Sequence, residues 1–180
     1  MNLLLVAVGL SKVLFGGLVA ALGIWLAFRG LNRLLDTDPT RDLREGNVAA
    51  GVVHAASLLA LGLLAQNAVN ATFDAVDLTF RGSLPRPGML VQLTVFALMH
   101  VGVSLLVGTG VLALGVLLFD KMTPGVDELA EVRRGNVALA LVLAAILLVI
   151  ALLTAPGLQA TLNGLIPFPE LPPSTFRAPT

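Results

Sequence analysis

The sequence predicts an all-α membrane protein. Its four transmembrane helices form two parallel-repeat helical hairpins, with both termini outside (N-out/C-out). Three observations carry that reading. Of 180 residues, 57% are hydrophobic and 12% charged, with a mean hydropathy of +0.93. That charged share is about half the usual one for a soluble domain, and a water-soluble fold of this size has no interior large enough to hide so much apolar surface. Four apolar runs are continuous, which suits helices in lipid rather than the alternating strands of a barrel. Finally, a pattern in the first connection returns in the third.

The elements follow in order. The first run, about Leu3 to Phe28, is broken only by Lys12. It lacks a basic segment before it and is too long for a signal-peptide core, so it reads as a retained helix. The second run is about Asn47 to Thr72, and the third about Met89 to Phe119. The fourth is about Asn136 to Ala155, expected to stop at Pro156. Each exceeds or approaches the ~20 residues that cross a hydrocarbon core. Residues 1–155 therefore read as a four-helix bundle, with repeat one over about 3–72 and repeat two over about 89–155. Residues 156–180 hold six of the ten prolines and read as a Pro-rich tail on the outer side. Within the tail, 157–166 could form a short interfacial helix, and Phe168 and Phe176 are its candidate anchors.

The basic residues set the orientation. The first and third connections hold seven Lys or Arg (Arg29, Arg33, Arg41, Arg44, Lys121, Arg133, Arg134). The second connection holds two (Arg81, Arg86) and the tail one (Arg177). The excess places the first and third connections in the cytoplasm and both termini on the periplasmic side.

The repeat is close. Asp42-Leu43-Arg44-Glu45-Gly46-Asn47-Val48-Ala49 reappears as Glu131-Val132-Arg133-Arg134-Gly135-Asn136-Val137-Ala138. Upstream, Ala21-Leu22-Gly23-Ile24 matches Ala113-Leu114-Gly115-Val116. Two helices per unit preserve direction, so the units are parallel about an axis along the membrane normal. In the repeated motif (Arg44, Gly46, Asn47 and Arg133, Gly135, Asn136), asparagine suits an N-cap and glycine a tight turn.

At these residues the chain resembles the YjfL-type family of small bacterial inner-membrane proteins. That family is built from a duplicated two-helix hairpin whose domain has no assigned function. The resemblance runs from the first helix through the fourth and leaves out the tail. It implies a multi-pass inner-membrane protein and supplies no catalytic residues.

Small residues form seams for close helix approach. Gly9, Gly16, Ala20 and Gly23 share a stripe of the first helix, and Gly102 and Gly108 lie on a looser one in the third. Polar groups within the runs are the candidate functional residues, because such groups are costly in lipid. Lys12 lies about 13 Å from the start of its helix, either snorkelling to headgroups or facing a protein interior. His100 lies at similar depth, with Asn67, Gln66, Ser11 and Ser104 in the same outer half. His54 sits toward the cytoplasmic end. On the expected boundaries no carboxylate lies inside a span, so a cationic layer without an acid is predicted around Lys12 and His100.

No nucleophile, metal or phosphate motif is present, and cysteine is absent. The expectation is a protein that is not an enzyme, with no metal or other cofactor and no nucleic-acid partner. Its expected partners are membrane lipid and either its own copies or other membrane proteins. The expected role is a structural or interaction subunit of a homo-oligomer or larger membrane complex. The alternative is a small channel or transporter with a polar layer at Lys12 and His100.

Overall fold

A computed structural model describes residues 3–35, 39–80, 87–122 and 127–165. The described residues are helical, without strands. They form four long helices, with one short helix before the second long one and another before the fourth. They are α1 (Leu3–Leu35), α2 (Pro39–Arg44), α3 (Val48–Phe80), α4 (Pro87–Met122), α5 (Glu128–Arg133) and α6 (Val137–Leu165). All four long helices are apolar and long enough to cross a membrane.

The long helices outrun the bilayer. At 1.5 Å per residue, the 33 residues of α3 extend about 50 Å, against a hydrocarbon core of about 30 Å. Two boundaries therefore differ from the sequence reading. The second span was expected to end near Thr72, yet α3 runs on to Phe80. Nothing between Phe73 and Phe80 breaks a helix, and Ala75 packs there against Leu93 and Phe96 of α4. Aspartate leaves lipid readily but does not end a helix. The fourth helix does not stop at Pro156 but passes through it to Leu165. Proline removes one backbone donor, and membrane helices tolerate this where a neighbour steadies the freed turn. Asn67 Nδ2 donates to the carbonyl of Ala155, beside that proline, at 3.4 Å. Residues 166–180, with Phe168 and Phe176, and Arg81 and Arg86 of the second connection, lie outside the described residues.

The core is a three-helix packing of α3, α4 and α6, with α1 applied to one side of α3 and α4. Leu61, Leu64, Leu105, Leu112, Leu143 and Leu147 fill it, and Phe119 and Val132 close the end near the short helices. Close approach is set by glycine on α4. A Cβ on Gly108 would come 2.8 Å from Leu61, and one on Gly115 would come 2.6 Å from Leu147. Neither distance is possible without displacing a buried leucine. On α1, by contrast, Gly16 and Gly23 face Phe73, Leu61 and Leu105 at 3.7–3.8 Å, where a methyl would fit. Gly9 and Gly102 meet nothing within 4 Å, and Ala20 is exposed. The small-residue stripe of α1 thus serves packing within the chain only in part.

Each Gly-Asn motif joins a short helix to a long one. Gly46 (φ 72°) and Gly135 (φ 94°) occupy the left-handed region, where a side chain is strained. Asn47 N–H donates back to the carbonyl of Asp42, and Asn136 N–H to that of Glu131, both at 2.9 Å. These are the long-range bonds of a Schellman ending. The same asparagines then open the next helix. Asn47 Oδ1 accepts from Ala50 N–H at 3.1 Å, and Asn136 Oδ1 from Leu139 N–H at 3.4 Å. One residue closes a helix and caps the following one, which explains why Gly-Asn recurs as a unit. Asn47 also donates from Nδ2 to the carbonyl of Arg133 at 3.0 Å, tying the two bends together.

Candidate functional site

Polar side chains inside a span need partners, and the hydroxyls here find them on backbone carbonyls. Ser57 bonds Val53, Thr72 bonds Ala68 and Thr109 bonds Leu105, each one turn back. Ser104 instead reaches across to the carbonyl of Leu64 at 2.7 Å and pins α4 to α3. What remains polar divides between the two ends of the bundle. At the bend end, His54 is buried and its Nδ1 lies 2.7 Å from the Ala50 carbonyl. Arg44 and Arg133 are exposed beside the Gly-Asn turns, and the neighbouring acids pair locally, Arg41 with Glu45 and Arg134 with Glu131. Trp25 lies beneath the Arg29 guanidinium at 5.4 Å, a pairing suited to the lipid interface.

The termini end, where α1 begins and α6 finishes, holds two separate polar places. Lys12 is ion-paired with Asp77 of α3, and its ammonium stands 5.6 Å from the Phe73 ring. The Lys12 and Asp77 side chains are 22% and 45% exposed. A cationic layer without an acid is therefore corrected: the extension of α3 beyond Thr72 brings Asp74 and Asp77 to this level. Lys12 borders a wide apolar groove between α1 and α4 that also takes in Phe15, Ala97 and Gly102.

His100 faces elsewhere. It is 1% exposed, its ring lies against Phe96 at 3.9 Å between centroids, and its Nδ1 is 3.2 Å from the Phe96 carbonyl. It borders a cavity of about 210 Å³ between α3, α4 and α6 with Asn67, Asn70, Asp74, Gln159 and Asn163. The structure thus places Lys12 and His100 in two different recesses rather than in one layer. It joins His100 to Asn67, and leaves His54 and the Gly-Asn motifs at the other end of the bundle.

The sequence reading missed Asn70, Asp74, Gln159 and Asn163, yet a signal for them existed. Asn47 and Asn136 are 89 positions apart, and the same offset relates Asn70 to Gln159 and Asp74 to Asn163. Two polar positions of α3 recur as two polar positions of α6, and both pairs line one cavity. Among the described residues, no three His, Asp or Glu side chains gather as a metal-binding group.

Comparison with known proteins gives one assignment. The family described as Domain of Unknown Function (DUF350) matches residues 4–102 and, a second time, residues 97–168. No curated protein and no solved structure matches the chain. The double match supports internal duplication.

Proposed function

The chain belongs to the DUF350 family, and from that premise we propose an integral membrane structural and interaction protein of the bacterial inner membrane. In this reading it is a subunit of a homo-oligomer or of a larger membrane complex. Its two hairpins are parallel repeats about an axis along the membrane normal. The bend end, with Arg41, Arg44, Arg133 and Arg134, faces the cytoplasm, and both termini face the periplasm. It has no catalytic or nucleic-acid-binding role.

The observation that carries the proposal is the state of α1. Val19 is the one buried residue of α1 among those described, while Val6, Leu10, Val13, Leu14, Leu18, Leu22 and Ile24 are all exposed. A helix held on one narrow stripe, with Gly9 and Gly17 open, is suited to receive another membrane helix. The core favours this reading over the channel alternative. Below His100 and Asn67 the described core of α3, α4 and α6 is mostly apolar, and its buried hydroxyls, Ser57 and Ser104, are each bonded to a backbone carbonyl.

Two measurements test this. Mass determination in mild detergent is expected to give a multiple of 18.7 kDa or a heteromeric assembly, and a strict monomer contradicts it. Reconstituted Lys12→Leu protein is expected to assemble normally and to differ from wild type in no ion flux. A flux that is present in wild type and lost in the variant, with assembly intact, transfers the assignment to transport.

A further inference from the structure

The cavity beside His100 has a polarity that identifies what fits it. A carbonyl oxygen only accepts, so the His100 Nδ1 facing Phe96 carries the proton. In the neutral ring that leaves Nε2 as a lone pair, the one ring nitrogen available to the cavity. Asn67 directs one N–H of its amide to the Ala155 carbonyl, which leaves its amide oxygen and its second N–H. The backbone thus takes the one donor of His100 and one of the two of Asn67, and the acceptors of both residues stay open. Asp74 adds a carboxylate, and among the described residues no ion pair engages it. Asn70, Gln159 and Asn163 bring three amides that can turn their oxygens inward, and Ala71 and Leu162 supply apolar wall. Lys12, the nearby cation, is committed to Asp77.

We propose that this cavity binds a primary ammonium group. One positive charge answers one carboxylate. Its N–H bonds need acceptors on several sides, which His100, Asn67 and the three amides provide, and its carbon chain meets the apolar wall. A divalent metal would face one carboxylate and mostly neutral amides, whereas hard cations are usually held by several carboxylates. The cavity's about 210 Å³ equals roughly seven water volumes, enough for a group the size of an ethanolamine head. His100 and Asn67 form the floor, and Asp74, Asn70, Gln159 and Asn163, all exposed, form a rim toward the termini end. The ammonium can therefore belong to a soluble amine or to the headgroup of an ethanolamine phospholipid. The proposal stands independently of the oligomeric state argued above.

The test is calorimetric titration of the purified full chain in phosphatidylcholine nanodiscs. Ethanolamine hydrochloride is expected to bind saturably at one site per chain. Tetramethylammonium, equally charged but without N–H, is expected to bind at least about tenfold more weakly, as is ethanolamine to Asp74→Asn. Asn163→Leu, at the exposed rim, gives a second variant that leaves the buried floor untouched and is expected to weaken binding. Equal binding of tetramethylammonium overturns the proposal, as does an unchanged affinity in both variants. Absence of saturable ethanolamine binding overturns it too, and so does a Zn²⁺ or Mg²⁺ titration that saturates a site ethanolamine cannot compete for. Nanodiscs containing phosphatidylethanolamine distinguish the sources: competition with free ethanolamine assigns the site to the headgroup, and no competition assigns it to a soluble amine.

Discussion

α1 and α4 begin the two repeats, yet one is peripheral and the other central. Of the apolar window in α1, 6% is buried, against 44% in α4. Their glycines are in register: Gly16 and Gly23 correspond to Gly108 and Gly115 at an offset of 92. The seam was copied with the rest of the repeat. What differs is what stands opposite. Gly108 and Gly115 each receive a buried leucine of a neighbouring helix at a distance that leaves no room for a methyl, while the α1 glycines meet ordinary van der Waals neighbours. A small-residue stripe thus permits close approach without dictating it. The facing side chains decide, and only α4 has them on both α3 and α6.

The largest expected effect separates these registers directly. Gly115→Leu places a side chain where Leu147 already sits and is expected to cost about 3 kcal/mol, the upper range for overpacking. Gly23→Ala is expected to stay within about 1 kcal/mol of wild type, on the stabilising side, because alanine is the better helix former and its methyl fits. Equilibrium unfolding in mixed micelles measures both. Equal losses at the two positions would show that α1 is packed as tightly as α4.

The bends give the next contrast. Asn47 and Asn136 both cap a long helix, but Asn47 also holds the Arg133 carbonyl. Asn47→Ala is expected to cost about 2 kcal/mol, and Asn136→Ala about 1 kcal/mol, the cap alone. The same unfolding assay reads the difference, and a reversed order would mean that the tie between repeats carries no stability.

The smallest effects fall at Lys12 and its counterpart Ser104, again 92 positions on. Ser104→Ala removes a buried interhelical bond and is expected to cost about 0.6 kcal/mol. Lys12→Leu breaks an ion pair whose Asp77 side chain is 45% exposed. On the proposed topology the pair lies toward the periplasmic interface, so the loss is expected within about 1 kcal/mol and nearer zero. A larger loss at Lys12 than at Asn47 would place the pair in a drier setting than the structure gives it.

Local chemistry was legible in the sequence, and neighbours were not. The four apolar runs and the Gly-Asn turns depend on residues close in the chain, so α1, α3, α4 and α6 and both caps were readable. Helix ends were misjudged where polarity and backbone geometry part company. Asp74 and Asp77 mark the end of a lipid-compatible stretch, but their helix continues because nothing there breaks its hydrogen bonding, and α6 likewise passes Pro156. The candidate site suffered from that error. With Asp77 assigned to a loop, Lys12 had no visible partner, and the side of α3 on which Asp74 faces His100 was fixed only by tertiary packing. The recurrence of Asn70 and Asp74 as Gln159 and Asn163 is written in the sequence at the same offset of 89 as the Gly-Asn motif.

On the proposed topology the Gly-Asn bends and the termini end lie on opposite sides of one bilayer. The chain contains no cysteine, so single cysteines report position without background. Glu45→Cys and Gly164→Cys sit at exposed positions at the two ends. In right-side-out membrane vesicles, an impermeant maleimide is expected to label Gly164→Cys at once and Glu45→Cys only after the membrane is opened. Labelling of both positions in sealed vesicles would contradict the account.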